Sequence, residues 1–154
     1  MRLSTYLRED LVIHGMDAST QQGALEAFGA HLEMGGFLPS GGEAVEALKT
    51  REAAHTTVLG EGVAVPHATV GALPQMLLLV ATTPEPIPFG PPEADLVDLF
   101  FVLLSPTGRE GEHIKLLARI CRLIRHPGVL DEIRGASGGE DLLDTILRVD
   151  SQHV

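Results

Sequence analysis

A single histidine, His67, follows a short apolar stretch and a proline in the sequence GEGVAVPHATV, residues 60–70. Pro66 fixes its own φ at about −65° and keeps Val65 extended, so the backbone sets the direction of the imidazole. An imidazole placed in this way can act as a base, a metal ligand or a nucleophile. The structural alternative is a histidine bonded to a nearby carbonyl at a strand end, and the spacing alone favours that alternative.

Two further side chains could take part in the same chemistry. His113 falls on the apolar stripe of a predicted helix near its N-terminus, where burial and the positive helix end should lower its pKa. A neutral imidazole there donates one hydrogen bond and accepts another, so it can serve a phosphate oxygen. Arg51 carries the planar donors that suit a phosphate. Each has a structural alternative, namely a bonded core histidine and a solvated arginine.

Other kinds of site have weaker support in the sequence. The GEG turn lacks the G-K-[ST] of a P-loop and the third glycine of a dinucleotide fingerprint. The seven histidines include no H-x-x-x-H pair, and the one cysteine, Cys121, falls on a predicted core face, so no metal and no cofactor are expected. Ser40 and Ser105 lack the G-x-S-x-G surroundings of a hydrolase nucleophile.

The composition is typical of one folded domain. The chain has 154 residues, of which 44% are hydrophobic, and it carries a net charge of −10 without any basic cluster. Such a charge repels nucleic acids and anionic membranes. The sequence has no apolar run of about 18 residues and no signal-peptide pattern, and a single cysteine suits a reducing compartment. We therefore expect a single domain over residues 1–150, in the cytoplasm, with no nucleic-acid partner and no membrane insertion.

Strand and helix patterns interleave along the chain. A short strand is predicted in DLVIHG (10–15), and two nearly continuous apolar runs, 76–81 and 96–104, predict strands buried on both faces. Five of the ten prolines lie between those runs, in residues 82–95, which predicts a loop or a poorly paired edge. This alternation predicts an α/β fold whose sheet is covered on its faces.

Capping signatures predict where three of five helices begin. Ser19 with Gln22 indicates the first start, Ser40 the second, and Thr107 with Glu110 the third.

The third helix carries the stripe that includes His113, and Arg119 and Arg122 are predicted on its solvent side. Two short helices are predicted after it, around residues 127–134 and 139–149.

One longer pattern suggests a family. The stretch REAAHTTVLGEGVAVPHATV (51–70) matches R-E-x3-T-x3-G-x-G-[IV]-A-[IV]-P-H. On this stretch, and on IPFGPPEADLVDLFFVLLSP and EHIKLLARICRLI further along, the chain resembles the phosphotransferase-system enzyme IIA domains of the fructose/mannitol class, including the nitrogen-regulatory branch. The resemblance covers essentially the whole chain. It implies an α/β fold like that of mannitol enzyme IIA, with a mixed, mostly five-stranded sheet and helices on both faces.

The resemblance also implies roles for individual residues. His67 would be the phosphorylated residue, His113 the second active-site histidine and Arg51 the arginine of the motif, and Thr56 would add a donor to the phosphoryl oxygens. The implied phosphoryl donor is the phosphohistidine carrier HPr. The implied receiver is a IIB domain of a sugar transporter or, in the regulatory branch, a kinase, channel or transcription regulator. The sequence leaves open which branch applies, which sugar is involved, and whether the protein forms a homodimer.

Overall fold

The computed structural model describes residues 1–90 and 95–153. These residues form a six-stranded sheet with the strand order β1-β5-β6-β3-β2, in which β4 also pairs with β6. The strands are β1 (Val12–Ile13), β2 (Val58–Gly60), β3 (Val63–Ala64), β4 (His67–Thr69), β5 (Leu77–Pro88) and β6 (Leu96–Ser105). The α-helices are α1 (Gln21–Met34), α2 (Gly42–Ala54), α3 (Glu110–Leu123), α4 (Val129–Arg134) and α5 (Gly139–Gln152), and short 3-10 helices occupy Leu3–Thr5 and Glu9–Leu11. None of the helices within the described ranges is long and apolar enough to cross a membrane.

The antiparallel pair β5–β6 forms the centre of the core, as the two apolar runs predict. Four consecutive residues of β5, 78–81, are fully buried, and successive side chains of a strand point to opposite faces, so both faces are covered. Phe28 of α1 packs against Phe100 of β6, with ring centroids 5.6 Å apart. His113 of α3 contacts Ser105, five positions further along the same strand and therefore on the other face. The predicted α/β class with helices on both faces is confirmed.

Strands β3 and β4 follow one line along β6 and are separated by a proline. Both are parallel to β6, with Ala64 opposite Phe100 and His67 opposite Leu103. Pro66 lies between them, and its carbonyl still accepts a hydrogen bond from the Leu103 backbone at 2.9 Å. The sheet is therefore the predicted five-stranded mixed sheet with one strand interrupted, and the interruption places His67 at its edge.

All five predicted helices are present, but two of the three predicted caps, Ser19 and Thr107, are wrong. Thr20 Oγ1 accepts a hydrogen bond from the Gly23 backbone at 3.0 Å, so Thr20 caps α1, whereas Arg109, which precedes α3, makes no side-chain cap bond. An N-cap is the residue whose backbone leaves the helical region, and a sequence pattern does not distinguish adjacent candidates. The caps of α1 and α3 lie at Thr20 and Arg109 instead of Ser19 and Thr107, whereas Ser40 Oγ accepts a hydrogen bond from the Gly42 backbone at 3.3 Å at the start of α2.

The predicted exposure of Arg119 is also wrong. Arg119 is 8% exposed and its Nε donates to Asp150 Oδ1 at 2.7 Å. Asp150, on α5, is 2% exposed and its other carboxylate oxygen accepts from the Leu3 backbone at 2.9 Å. This buried ion pair joins α3, α5 and the N-terminal segment.

Over residues 82–88 the proline-rich segment is the second of the two predicted alternatives, a poorly paired edge, and not a loop. These residues belong to β5, and Ile87 and Pro88 pair with β6 after a register shift. β1 pairs with β5 at Val80 and Ala81, so the prolines follow the paired part of that edge. Proline has no N–H to donate, and a strand tolerates it where that edge has no partner strand. The remaining prolines, at 91 and 92, lie outside the described residues.

Helices α1 and α2 meet backbone to backbone. A Cβ added to Gly41 would lie 2.3 Å from the carbonyl oxygen of Gly29, and a Cβ added to Gly29 would lie 2.6 Å from Val45 Cγ2. No side chain fits between the helices at this point. The direction of α2, the helix that carries Arg51, is therefore set by direct backbone contact.

Candidate functional site

A cavity of about 750 Å³ opens where α2, β4, the end of β6 and the start of α3 meet. His67, His113 and Arg51 all line it. The ring centroids of the two histidines lie 5.3 Å apart, with an angle of 60° between the ring planes. Thr56 is not among the lining residues, and its hydroxyl accepts a hydrogen bond from the Val58 backbone at 3.2 Å. Three of the four predicted side chains therefore share one cavity.

The ring of His67 is held by its own backbone. Its Nδ1 lies 2.7 Å from the carbonyl oxygen of Val65. A carbonyl oxygen only accepts hydrogen bonds, so Nδ1 carries the hydrogen, and in the neutral ring the lone pair is on Nε2. Nε2 is therefore the nitrogen of His67 that can act as a nucleophile.

Both histidines are kept neutral by their surroundings. Burial lowers the pKa of His67 and the Arg51 guanidinium lowers it further, against opposing effects of the Val65 hydrogen bond and of Glu52. Burial also lowers the pKa of His113, and His67 and Arg51 add to that effect. Because the usual pKa is 6.5, both rings are neutral at pH 7, which is the form that a nucleophilic imidazole needs.

The ring of His113 is oriented by Ser105, whose hydroxyl is hydrogen-bonded to His113 Nδ1. Ser105 is 2% exposed, and within residues 1–90 and 95–153 this is its one side-chain hydrogen bond. A buried hydroxyl hydrogen without an acceptor costs about 1–3 kcal/mol, so the hydroxyl donates to Nδ1. The neutral ring of His113 then carries its hydrogen on Nε2, where it can donate to a group in the cavity.

Two arginines bring positive charge to the cavity of this acidic protein. Arg51 Nη1 donates to the carbonyl oxygen of His55 at 2.9 Å, which holds the guanidinium at the end of α2. Arg109 also lines the cavity, and its Nη1 donates to Glu112 Oε1 at 2.9 Å. The other oxygen of Glu112 accepts a hydrogen bond from the Tyr6 hydroxyl at 2.5 Å. Glu46 and Glu110 also line the cavity, so the positive charge is local to the arginines and the lining has no net positive charge.

Sequence reasoning missed three residues of this arrangement. Arg109 was passed over, and Ser105 was considered only as a hydrolase nucleophile. Glu52 was also missed, although it follows Arg51 in the R-E-x3-T stretch, which was the available signal. Glu52 is 2% exposed, and its carboxylate accepts from the Thr57 backbone and from the Thr57 hydroxyl, each at 2.6 Å.

The arrangement combines a nitrogen nucleophile with several hydrogen-bond donors. Such a set can accept an anionic electrophilic group and stabilise the charge on its oxygens. In the part of the chain that the structure describes, no group of three or more His, Cys, Asp or Glu side chains could hold a metal ion.

Comparison with known proteins identifies the family. Residues 5–149 match the family described as "Phosphoenolpyruvate-dependent sugar phosphotransferase system, EIIA 2". The chain belongs to this family. This match confirms the resemblance found in the sequence. The proteins similar to this chain include both sugar-specific and nitrogen-regulatory ones.

The two branches are both represented among similar proteins. A nitrogen regulatory protein of Bradyrhizobium diazoefficiens is 36% identical over 101 residues, which are 66% of this chain and 66% of that protein. The mannitol-specific EIICBA component of Escherichia coli K12 is 28% identical over 135 residues, which are 86% of this chain and 20% of that protein. The chain therefore corresponds to about a fifth of the mannitol component.

Solved structures of EIIA proteins share the fold. The nitrogen regulatory protein IIA-Ntr of Neisseria meningitidis superimposes with a TM-score of 0.84 at 26% identity, covering 94% of this chain and 98% of that one. Enzyme IIA mannitol of E. coli, in its complex with phosphorylated enzyme IIB mannitol, superimposes with a TM-score of 0.75 at 23% identity, covering 91% and 96%. At the lower identity the likeness shows the fold alone, which is the predicted mannitol IIA-like fold.

Proposed function

We propose that His67 accepts a phosphoryl group from the phosphohistidine of HPr and holds it as a covalent intermediate. The phosphorus–nitrogen bond of the donor breaks as a bond forms between phosphorus and His67 Nε2, and the electron pair returns to the donor nitrogen. One observation carries the proposal. The bond from Nδ1 to the Val65 carbonyl leaves the Nε2 lone pair in a cavity that His113 and Arg51 also line.

The neighbouring donors supply charge stabilisation. Transfer between two histidines is nearly balanced in energy, so its rate depends on positioning and on stabilising the phosphoryl oxygens. His113 Nε2–H and the Arg51 guanidinium are the donors for those oxygens. Removing one oxyanion donor of this kind slows a reaction by about 100- to 1,000-fold.

The first candidate for the next step is transfer to a IIB domain of a sugar transporter. The similarity to the E. coli mannitol component supports this candidate.

The second candidate is regulation, in which the phosphorylation state of His67 controls binding to a kinase, channel or transcription regulator. The 36% identity to the Bradyrhizobium protein and the TM-score of 0.84 with the Neisseria protein favour it.

Phosphorylation with phosphoenolpyruvate, enzyme I and HPr tests the proposal. The wild-type protein should gain one phosphate that is labile in acid and stable in base. The label should be absent from His67→Ala and present in His126→Ala, whose histidine is exposed and does not line the cavity. His113→Ala should fold and accept the phosphate more slowly. A label that survives in His67→Ala would contradict the assignment.

The two candidates differ in where the phosphate goes next. Transfer to a IIB domain predicts that the label moves from His67 to purified mannitol-type or fructose-type IIB protein within minutes. Regulation predicts that the label stays on His67 while these IIB proteins are present. It also predicts that a bound target is released or recruited when His67 is phosphorylated.

A further inference from the structure

One hydrogen bond is missing from the β2–β3 ladder beside the site. Val58 lies opposite Ala64, so Thr57 and Val65 form the next antiparallel pair. Residues of a hydrogen-bonded pair normally exchange two N–H···O bonds. The Val65 backbone N–H donates to the Thr57 carbonyl oxygen at 3.0 Å, but the Thr57 N–H does not return the bond. It donates to Glu52 Oε2 at 2.6 Å instead.

The Glu52 carboxylate is well placed to compete with the peptide carbonyl. Its second oxygen accepts the Thr57 hydroxyl at 2.6 Å, so two bonds fix its position. Glu52 is 2% exposed, which limits competition from water. An ionised acceptor also binds a backbone N–H more strongly than a neutral carbonyl does.

The consequence falls on the Val65 carbonyl. Its oxygen accepts from His67 Nδ1 at 2.7 Å and is not shared with the Thr57 N–H, a second donor that would occupy the other lone pair and weaken the bond to the imidazole. We propose that Glu52 is a positioning residue for His67: by accepting the Thr57 N–H, it leaves the Val65 carbonyl to the imidazole and so selects the tautomer with its lone pair on Nε2. The selection of the tautomer follows from the geometry alone, whereas its effect on phosphoryl transfer rests on the function proposed above.

Three variants separate the hydrogen bond from charge and packing. Glu52→Met removes the acceptor at similar size, so the Thr57 N–H should turn to Val65 and complete the ladder. Glu52→Gln removes the same charge but keeps an oxygen for the Thr57 N–H. Thr57→Val removes only the hydroxyl contact and keeps the backbone bond to Glu52.

The ring nitrogens of His67 are observed by ¹⁵N NMR at pH 8, where the imidazole is neutral. Wild type and Thr57→Val should show the hydrogen on Nδ1, and Glu52→Met should show a mixture with the Nε2–H tautomer. Glu52→Gln should show less of the Nε2–H tautomer than Glu52→Met, because its neutral amide oxygen still accepts the Thr57 N–H but binds it less strongly than the carboxylate does. In the wild type, a coupling across the hydrogen bond should join the Thr57 nitrogen to the Glu52 carboxyl carbon, a test that needs no variant. A coupling to the Val65 carbonyl carbon instead, or a Glu52→Met spectrum equal to the wild type, would overturn the inference.

The transfer rate from phosphorylated HPr gives the functional readout. Glu52→Met should slow phosphorylation of His67 roughly fivefold, the effect of one typical hydrogen bond, and Glu52→Gln should slow it less, because an oxygen remains for the Thr57 N–H. Equal slowing in the two variants would assign the effect to charge and reject positioning. If the wild type takes no phosphate at all, the proposed function fails, and the NMR measurements still decide the role of Glu52.

Discussion

Replacing Asp150 by asparagine should strongly destabilise the fold. Asp150 is 2% exposed and accepts from Arg119 Nε at 2.7 Å and from the Leu3 backbone at 2.9 Å. Asparagine has the same size but leaves the guanidinium of Arg119, itself 8% exposed, without a counter-charge. Removing one partner of a buried ion pair costs about 3–5 kcal/mol. In a domain of this length each kcal/mol corresponds to about 2–4 °C, so the melting temperature should fall by roughly 10 °C.

The chain contains a matched control, an exposed ion pair between α5 and α4. Arg148 Nη1 lies 3.1 Å from Glu132 Oε2, but these side chains are 51% and 48% exposed. Such a pair contributes about 0–1 kcal/mol, so Glu132→Gln should leave the free energy of unfolding nearly unchanged. Urea unfolding of both variants, followed by circular dichroism, gives the comparison.

The double variant tests the reason for the loss. If an unpaired buried charge is the cause, Arg119→Leu combined with Asp150→Asn should recover much of the stability that Asp150→Asn loses alone, because the charge is removed and an amide oxygen remains for the Leu3 N–H. An Asp150→Asn loss below about 1 kcal/mol, no larger than that of Glu132→Gln, would refute the reasoning.

Further outcomes concern the histidine pair. By NMR, the pKa of His67 should lie below 6.5. Because folding lowers this pKa, the unfolded chain binds more protons than the folded one at any pH between the lowered pKa and 6.5. Across that range the free energy of unfolding should therefore rise as the pH rises and be lost as the pH falls. Arg51→Leu should raise the pKa of His67 and slow phosphorylation about 100-fold, and an unchanged titration would argue against contact between the two charges. Ser105→Ala should introduce the Nδ1–H tautomer of His113 and slow transfer about fivefold, whereas Ser105→Thr keeps the hydroxyl; equal rates in these two variants would remove Ser105 from the mechanism.

The strands and the position of His67 at a strand end were predictable because their signals are local. The apolar runs at 76–81 and 96–104 identify the central strands, since only strands buried on both faces need such continuous hydrophobicity. Pro66 also indicates a break between β3 and β4, because a proline has no N–H to donate to a neighbouring strand, and His67 follows this break.

The errors arise where a partner is distant in sequence. Arg119 falls at a solvent position of the α3 pattern, and its burial depends on Asp150, 31 residues further along. In the sequence, Glu52 looks like an ordinary charged residue on the surface of α2. Its proposed role depends on the Thr57 N–H of the β2–β3 hairpin, which donates to Glu52 instead of to Val65. Periodicity records which face a residue occupies, but it does not record which polar groups meet there.

Because α2 is in backbone contact with α1 near Gly41, a small change of helix direction there produces a larger displacement at the far end of α2. Ten residues separate Gly41 from Arg51, which is about 15 Å along a helix axis. A tilt of about ten degrees at this contact would move the backbone of Arg51 by roughly 3 Å, enough to carry its guanidinium away from the imidazole. A single methyl group inserted between α1 and α2 would thus displace Arg51 and change the site without touching any reacting atom.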